Sequence, residues 1–188
     1  AGIPRVASNV AQEDWGDPNA YPLTASGTGS ILLIPQALLD NDVNRIGVIR
    51  IDLPAATALL GILESTYKSQ GATFPYDAGV PAGTTDYTQF ILGAQNAGVG
   101  GVAIALGEQE AVQVVRAGQQ VATDMLIGSP LGTFSYRSVA DLGDFAEQMV
   151  FLSPIPPATS DLPVYDAIRA DMTASGAAVC RSACQRPF

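Results

Sequence analysis

GVPAGTTDYTQFILGAQNAGVGGVAIALG, residues 79–107, contains a loop, a helix and a strand in the order found in parallel α/β sheets. Residues 79–85 are rich in glycine, proline and threonine, and Thr85 is a possible helix cap. Residues 86–98 repeat apolar side chains at helical spacing. Residues 101–107 are a short apolar run bounded by glycine, which is typical of a strand buried on both faces. The stretch therefore predicts one crossover of such a sheet.

The same alternation of helix and strand extends on both sides of this stretch. Strands are predicted at 45–52, 72–77, 101–107, 124–129 and 149–153, and helices at 31–39, 54–70, 86–98, 108–120, 139–148 and 160–176. Pro75 favours an edge position for its strand because proline cannot donate to a neighbouring strand. This order predicts an α/β fold with a parallel doubly wound sheet, right-handed crossovers and helices on both faces.

Residues 1–29 differ from the rest, because proline, glycine and asparagine recur through them without helical or strand periodicity. We therefore predict an N-terminal loop over 1–29 and an α/β lobe over 30–188. The first residues, AGIPRV, indicate a mature or trimmed start.

Charge and hydropathy exclude two classes of partner. The net charge is −9, and Lys68 is the single lysine in the chain. Nucleic acids and anionic lipids both require clustered basic residues, so neither is expected to bind. The sequence has no apolar run of 18 residues, so no membrane span is predicted.

The cysteines Cys180 and Cys184 leave two interpretations open. A zinc site is not expected, because the chain has no histidine and no further cysteine to complete four ligands. The two residues either form a disulfide in an oxidising compartment or remain ordinary thiols.

The residues that follow the strands carry no recognisable catalytic pattern. A dinucleotide-binding glycine motif and a phosphate loop are both absent, and the lack of histidine excludes a Ser-His-Asp triad. We therefore expect no catalytic residue, no cofactor and no metal.

Parallel sheets bind ligands at the carboxyl ends of their strands, so the residues there are the candidate ligand contacts. They are mostly small or apolar, and Glu108 and Ser129 are the two that can fix a polar group. The candidates are Leu53, Ala55, Leu106, Gly107, Glu108, Ser129, Leu131 and Phe134. The alternative is that these side chains simply complete the core.

Several blocks together resemble a known family. NRIGVIRID, YDAGVPAGTTDYTQFILGAQNAGVGGVAIAL, DMLIGSP, FAEQMVFLSP and PVYDAIRADM follow each other in the order seen in periplasmic binding proteins of type I. The chain looks most like the substrate-binding proteins of ABC importers of the branched-chain amino acid type. The resemblance covers roughly residues 20–176, and PVYDAIRADM is similar to the helix near the end of the second lobe.

The resemblance implies one lobe of a Venus-flytrap protein, with residues 1–29 as an interlobe connection. It implies a small-molecule solute and an ABC transporter permease as partners, a missing first lobe of the same protein, and an extracytoplasmic location in the periplasm or at the cell surface. In amino-acid binders of this family an acid after the fourth strand often pairs the ligand's amino group, whereas Pro130 or Leu131 stands here. This departure favours a fairly apolar solute, such as an aromatic or aliphatic acid.

Two other functions remain open at this point. The same fold serves small-molecule sensors and regulatory domains, and fold alone does not separate them from transport proteins. An enzyme on a flavodoxin-like sheet is the third alternative, and the bare strand ends disfavour it.

Overall fold

The structure is a computed structural model that describes residues 5–7, 19–22, 27–121, 124–153 and 161–175. The chain divides into two units, Ala1–Leu152 and Ser153–Phe188. The predicted disulfide residues Cys180 and Cys184 lie outside the described residues. None of the helices in the described segments has the length and hydrophobicity that a membrane span needs.

The helices and strands alternate along most of the described chain. The strands are β1 (Arg5–Ala7), β2 (Ala20–Pro22), β3 (Arg45–Ile51), β4 (Thr73–Val80), β5 (Gly101–Ala105), β6 (Leu126–Pro130) and β7 (Met149–Leu152). The helices are α1 (Gly27–Leu32), α2 (Ile34–Leu39), α3 (Pro54–Tyr67), α4 (Thr88–Asn96), α5 (Glu108–Val121), α6 (Tyr136–Ala140) and α7 (Pro163–Ala174). Short 3-10 turns lie at Lys68–Gln70, Leu131–Thr133 and Gly143–Gln148.

Five strands form the main sheet in the order β4-β3-β5-β6-β7, and every neighbouring pair is parallel. The prediction of a parallel α/β sheet is confirmed. The order reverses between β3 and β5, which is the arrangement that places a ligand crevice at the carboxyl ends of the strands. The predicted edge position of Pro75 is also confirmed, because β4 lies at the edge of the sheet. The β3–β4 register shifts between Arg45 and Gly47.

A separate apolar core covers each face of the main sheet. On one face, Ile46 and Val48 of β3 pack with Leu63 of α3. On the other face, Ile49 packs in a cluster that contains Ile91 of α4 and residues of α5. Adjacent β3 residues thus contribute to opposite cores, as expected for a strand covered on both faces.

The N-terminal region differs from the predicted loop. Residues 5–7 and 20–22 pair as parallel strands, and α1 begins at Gly27. The predicted helix over 31–39 is instead two short helices separated at Leu33, with Pro35 in the first turn of α2. Proline has no N–H to continue a preceding helix, so a new helix starts there.

Helix α7 belongs to the second unit and buries none of its residues. Pro163 occupies its first turn, as the sequence predicts. Val164 and Ile168 lie one helical turn apart and are 58% and 46% exposed.

Candidate ligand-binding cleft

A cleft of about 660 Å³ opens at the carboxyl edge of the main sheet. It lies between the loop that follows β4 and the first turns of α5. Its lining residues are Gly83, Thr84, Thr85, Tyr87, Glu108, Gln109, Glu110, Val112, Gln113 and Ser138. Its volume lies within the range of small-molecule binding sites, roughly 300–1,000 Å³.

Local hydrogen bonds hold the β4–α4 loop that forms one wall of the cleft. The Thr84 hydroxyl donates to the Pro81 carbonyl at 2.8 Å, and Gly83 adopts a positive φ of 81° that a side chain would disfavour. The Asp86 carboxylate accepts a hydrogen bond from the Thr88 N–H at 2.9 Å, so Asp86 rather than the predicted Thr85 fixes the start of α4. Tyr87 is buried, and its ring centroid lies 6.2 Å from that of Phe90.

Glu108 joins two loops at the opposite wall of the cleft. Its Oε1 atom accepts hydrogen bonds from the Ser138 hydroxyl at 2.6 Å and from the Ser135 N–H at 2.9 Å. Ser135 is the N-cap of α6 and accepts from the Ser138 N–H at 3.2 Å. The carboxylate therefore ties the first residue of α5 to the start of α6.

These hydrogen bonds lower the pKa of Glu108. The Ser138 hydroxyl makes the largest contribution and the Ser135 N–H the next, because both donate to the charged form. Glu108 is therefore a carboxylate at neutral pH and in mild acid.

We expect this interaction to make stability depend on pH. A carboxyl group with a lowered pKa stabilises the folded chain above its unfolded pKa, here near the ordinary value of 4.5. The stabilisation is lost as the pH falls through the lower folded pKa. The unfolding temperature of the wild type should therefore fall more steeply below pH 4.5 than that of Glu108→Gln, as measured by circular dichroism at a series of pH values. If the unfolding temperatures of the two proteins fell in parallel with pH, the lowered pKa of Glu108 would be contradicted.

Of the eight candidate contacts from the sequence, Glu108 alone lines this cleft. Gly107 precedes it, and a Cβ added there would lie 2.9 Å from Glu110 Oε2. Leu53 is 51% exposed at the N-cap of α3, and Ala55 lies in the first turn of that helix. Leu106 and Leu131 are partly buried.

Ser129 and Phe134 are buried in the first unit. Ser129 has no exposed surface, and its hydroxyl is 3.4 Å from the Pro130 carbonyl oxygen. Phe134 packs edge-on against Phe151 with ring centroids 5.7 Å apart. In this conformation both side chains contribute to the core, and a ligand contact at either position remains a prediction.

The sequence interpretation missed most of the cleft lining. The sequence predicts a crossover at Thr84 and Thr85, with Thr85 as a possible helix cap, although β4 runs parallel to β3 and its carboxyl end therefore reaches the same edge of the sheet. Ser138 lies in α6, a helix of 5 residues that is too short to show a periodic pattern. The alternation of helices and strands was enough to place the two threonines at the carboxyl edge of the sheet. No comparable pattern in the sequence indicates that Ser138 lies beside them.

A buried ion pair lies near the carboxyl ends of β3 and β4. Arg50 donates from Nε to Asp77 Oδ1 at 2.9 Å and from Nη2 to Asp77 Oδ2 at 2.7 Å. The side chains are 7% and 22% exposed. This bidentate pair neutralises the charge of the buried Arg50 side chain.

The described residues contain no group of three acidic, histidine or cysteine side chains placed to hold a metal ion.

A family model described as periplasmic binding protein matches residues 1–182. The chain belongs to the periplasmic binding protein family. The family predicted from the sequence is confirmed.

Solved structures of ABC transporter proteins share this fold. A solute-binding protein of an R. palustris ABC transporter, in complex with 4-hydroxybenzoate, is 16% identical, with a TM-score of 0.72 over 93% of this chain and 49% of its own. A putative branched-chain amino acid ABC transporter protein from Rhodospirillum rubrum is 15% identical, with a TM-score of 0.75 over 94% and 51%. A branched-chain amino acid ABC transporter protein from Thermus thermophilus with bound valine is 16% identical, with a TM-score of 0.71 over 93% and 47%.

The chain spans about half the length of these structures. None of the curated proteins matches it in sequence. The similarity establishes the fold of this periplasmic binding protein, with one lobe of the Venus-flytrap architecture as the matching part.

Proposed function

We propose that this periplasmic binding protein captures a small organic solute in the cleft beside Glu108 and presents it to an ABC importer outside the cytoplasm. The observation that carries the proposal is a cleft of about 660 Å³ at the carboxyl edge of a parallel sheet. Ligands of doubly wound sheets bind at this edge. Similar structures hold 4-hydroxybenzoate and valine, which are both small organic solutes.

We propose further that the solute has an apolar part. Leu53, Leu106 and Leu131 follow β3, β5 and β6, whose parallel pairing brings their carboxyl ends to the same edge. The exposure of Leu53 leaves apolar surface for such a contact. Most side chains that line the cleft carry a polar group, and the apolar contact is assigned to the neighbouring rim.

A first lobe of the same protein and a transporter permease are the proposed macromolecular partners. The match to about half of each similar structure supports the first lobe.

Filling the cleft with a large side chain tests the proposed function. Thr85 is exposed and lines the cleft, so Thr85→Trp is expected to weaken solute binding at least tenfold by occupying the space. Binding is measured by NMR titration of the 188-residue chain with a panel of small organic acids and amino acids. Thr66→Trp, on the exposed surface of α3 and outside the cleft lining, is the matched control and should bind like the wild type. Equal affinities for the two variants would place the solute elsewhere.

A further inference from the structure

Strand β4 is the last strand at one end of the main sheet, and no described strand pairs with its outer side. The Asp52 N–H donates to the Val80 carbonyl at 3.1 Å, so the backbone of Val80 faces β3. Backbone groups alternate in direction along a strand, so Ala78 also faces β3, whereas Asp77 and Gly79 face the outer edge. The N–H and carbonyl groups of these two residues are therefore available to another strand.

Two prolines bound this outer edge symmetrically. Pro75 and Pro81 each lie three residues from Ala78, and proline has no N–H to donate. When two copies of β4 pair antiparallel about a twofold axis at Ala78, Asp77 of one copy lies opposite Gly79 of the other. Each of these residues then both donates and accepts, so all the outward N–H groups of the two strands find a carbonyl. The prolines face each other at the ends of the pairing, which prevents a longer ladder.

The side chains of β4 are compatible with this self-pairing. Asp77 is the one charged residue of Thr73–Val80, and both oxygens of its carboxylate accept hydrogen bonds from Arg50. In this register each Asp77 faces a glycine, so the two carboxylates do not lie opposite each other. Ala78 lies opposite the same residue of the other copy, and both side chains are small. Lysine, which native edge strands use against such pairing, is absent from β4.

Helix α3 extends this surface on one face of the sheet. The Tyr67 hydroxyl donates to the Leu32 carbonyl of α1 at 2.8 Å, so the Tyr67 flank of α3 faces α1, which packs on β5 and β6. Ile62 is 38% exposed and lies about 140° around the helix from Tyr67, on the side of the β4 edge. Two strand spacings, about 10 Å, would separate the α3 helices of paired copies, which is a distance at which helices pack.

We propose that two copies of this chain associate through β4, as an antiparallel pair about a twofold axis at Ala78, with the Ile62 side chains of the two α3 helices in contact. The pairing joins two five-stranded sheets into one. It closes as a dimer because both copies use the same strand. The interface is small, so the dimer is weak and depends on concentration. No residue of β4 or α3 lines the cleft, so the inference does not rest on the proposed function.

Sedimentation and hydrogen exchange of the 188-residue chain test the inference. In about 0.15 M salt, the mass at sedimentation equilibrium should rise from that of one chain toward that of two between about 10 µM and about 1 mM. Over the same range, exchange of the Asp77 and Gly79 amides, followed by NMR, should slow about tenfold. The Ala78 amide faces β3 and should exchange slowly at both concentrations, which makes it the internal control.

Two exposed apolar residues provide a matched pair of variants. Ile62→Glu places like charges on the neighbouring α3 helices, so the dissociation constant of the dimer should rise about tenfold or more. Leu92→Glu is the control, because Leu92 is 42% exposed on α4. It lies one turn before Gln95, which donates to the Val121 carbonyl of α5, and is therefore on the flank away from β4. Leu92→Glu should dimerise like the wild type.

A cysteine at the twofold axis tests the register. In Ala78→Cys the two thiols lie directly opposite each other, so mild oxidation should link residue 78 of one copy to residue 78 of the other. Thr73→Cys lies away from the axis and should not form the corresponding link. Mass spectrometry of the linked peptides distinguishes these bonds from any that involve Cys180 or Cys184.

Three outcomes would overturn the inference. The first is a chain that remains monomeric and exchanges both edge amides rapidly. The second is slow exchange of Asp77 and Gly79 at every concentration, because another segment of the same chain would then cover the edge. The third is a dimer that Ile62→Glu leaves unchanged and in which both amides exchange rapidly, because it would use a different surface. Solute binding is measured separately, so the proposed function stands or fails independently of these results.

Discussion

Replacing Asp77 with alanine is expected to lower the free energy of unfolding by about 3–5 kcal/mol. Arg50 lies on the central part of the sheet, and its guanidinium makes both of its carboxylate hydrogen bonds to Asp77. The Arg50 side chain is only 7% exposed, so its charge has little access to water when Asp77 is removed. The cost is therefore mainly that of an uncompensated buried cation, and chemical denaturation monitored by circular dichroism measures it.

Two further variants determine whether burial causes the loss. The double variant Arg50→Met/Asp77→Leu removes both charges and should recover most of the lost stability, because an apolar pair of similar volume needs no compensation. Asp166→Ala breaks an Arg–Asp pair whose aspartate is 72% exposed, and it should cost less than about 1 kcal/mol. Similar losses for Asp77→Ala and Asp166→Ala would show that water screens the Arg50 pair as well.

Periodicity predicted the main sheet because each strand and helix must cover an apolar face. GVAIALG and the IGVI segment of RIGVIRID are continuous apolar runs, and both lie in inner strands with cores on each side. The pairing partners of β1 and β2 were not predictable in this way, since three residues are too few to show a pattern. The break at Leu33 was missed because Pro35 is compatible with either one helix or two.

The cleft was less predictable than the sheet because its walls come from side-chain geometry. The sequence predicts Glu108 at a strand end, and the structure has it in the cleft lining. The hydrogen bonds from Ser135 and Ser138 join residues about 30 positions apart, and such contacts leave no periodic signal. The sequence predicts only that Arg50 lies in a strand, because a charged residue in an apolar run does not indicate which carboxylate will neutralise it.

Replacing Gly128 with alanine is expected to destabilise the first unit by about 1–3 kcal/mol. Gly128 lies on β6, between its register partners Ala103 and Val150, so its backbone is held on both sides. A Cβ added at this position would overlap Ile34 Cγ2, and Leu38 Cγ would lie 3.5 Å away. Both side chains belong to α2 and have 1% or less of their surface exposed, so neither can move into solvent. Chemical denaturation of the 188-residue chain measures the change.

The opposite effect is expected for the same substitution at Gly61. A Cβ there meets no atom within 4 Å, and the residue lies inside α3. Alanine should therefore stabilise the chain by up to about 1 kcal/mol, because it restricts the unfolded backbone and favours the helix.

In Gly128→Ala/Ile34→Ala the overlap disappears, so the double variant should be more stable than the sum of the two single losses predicts. Strict additivity would show that the close approach of α2 to β6 is not what requires glycine at position 128.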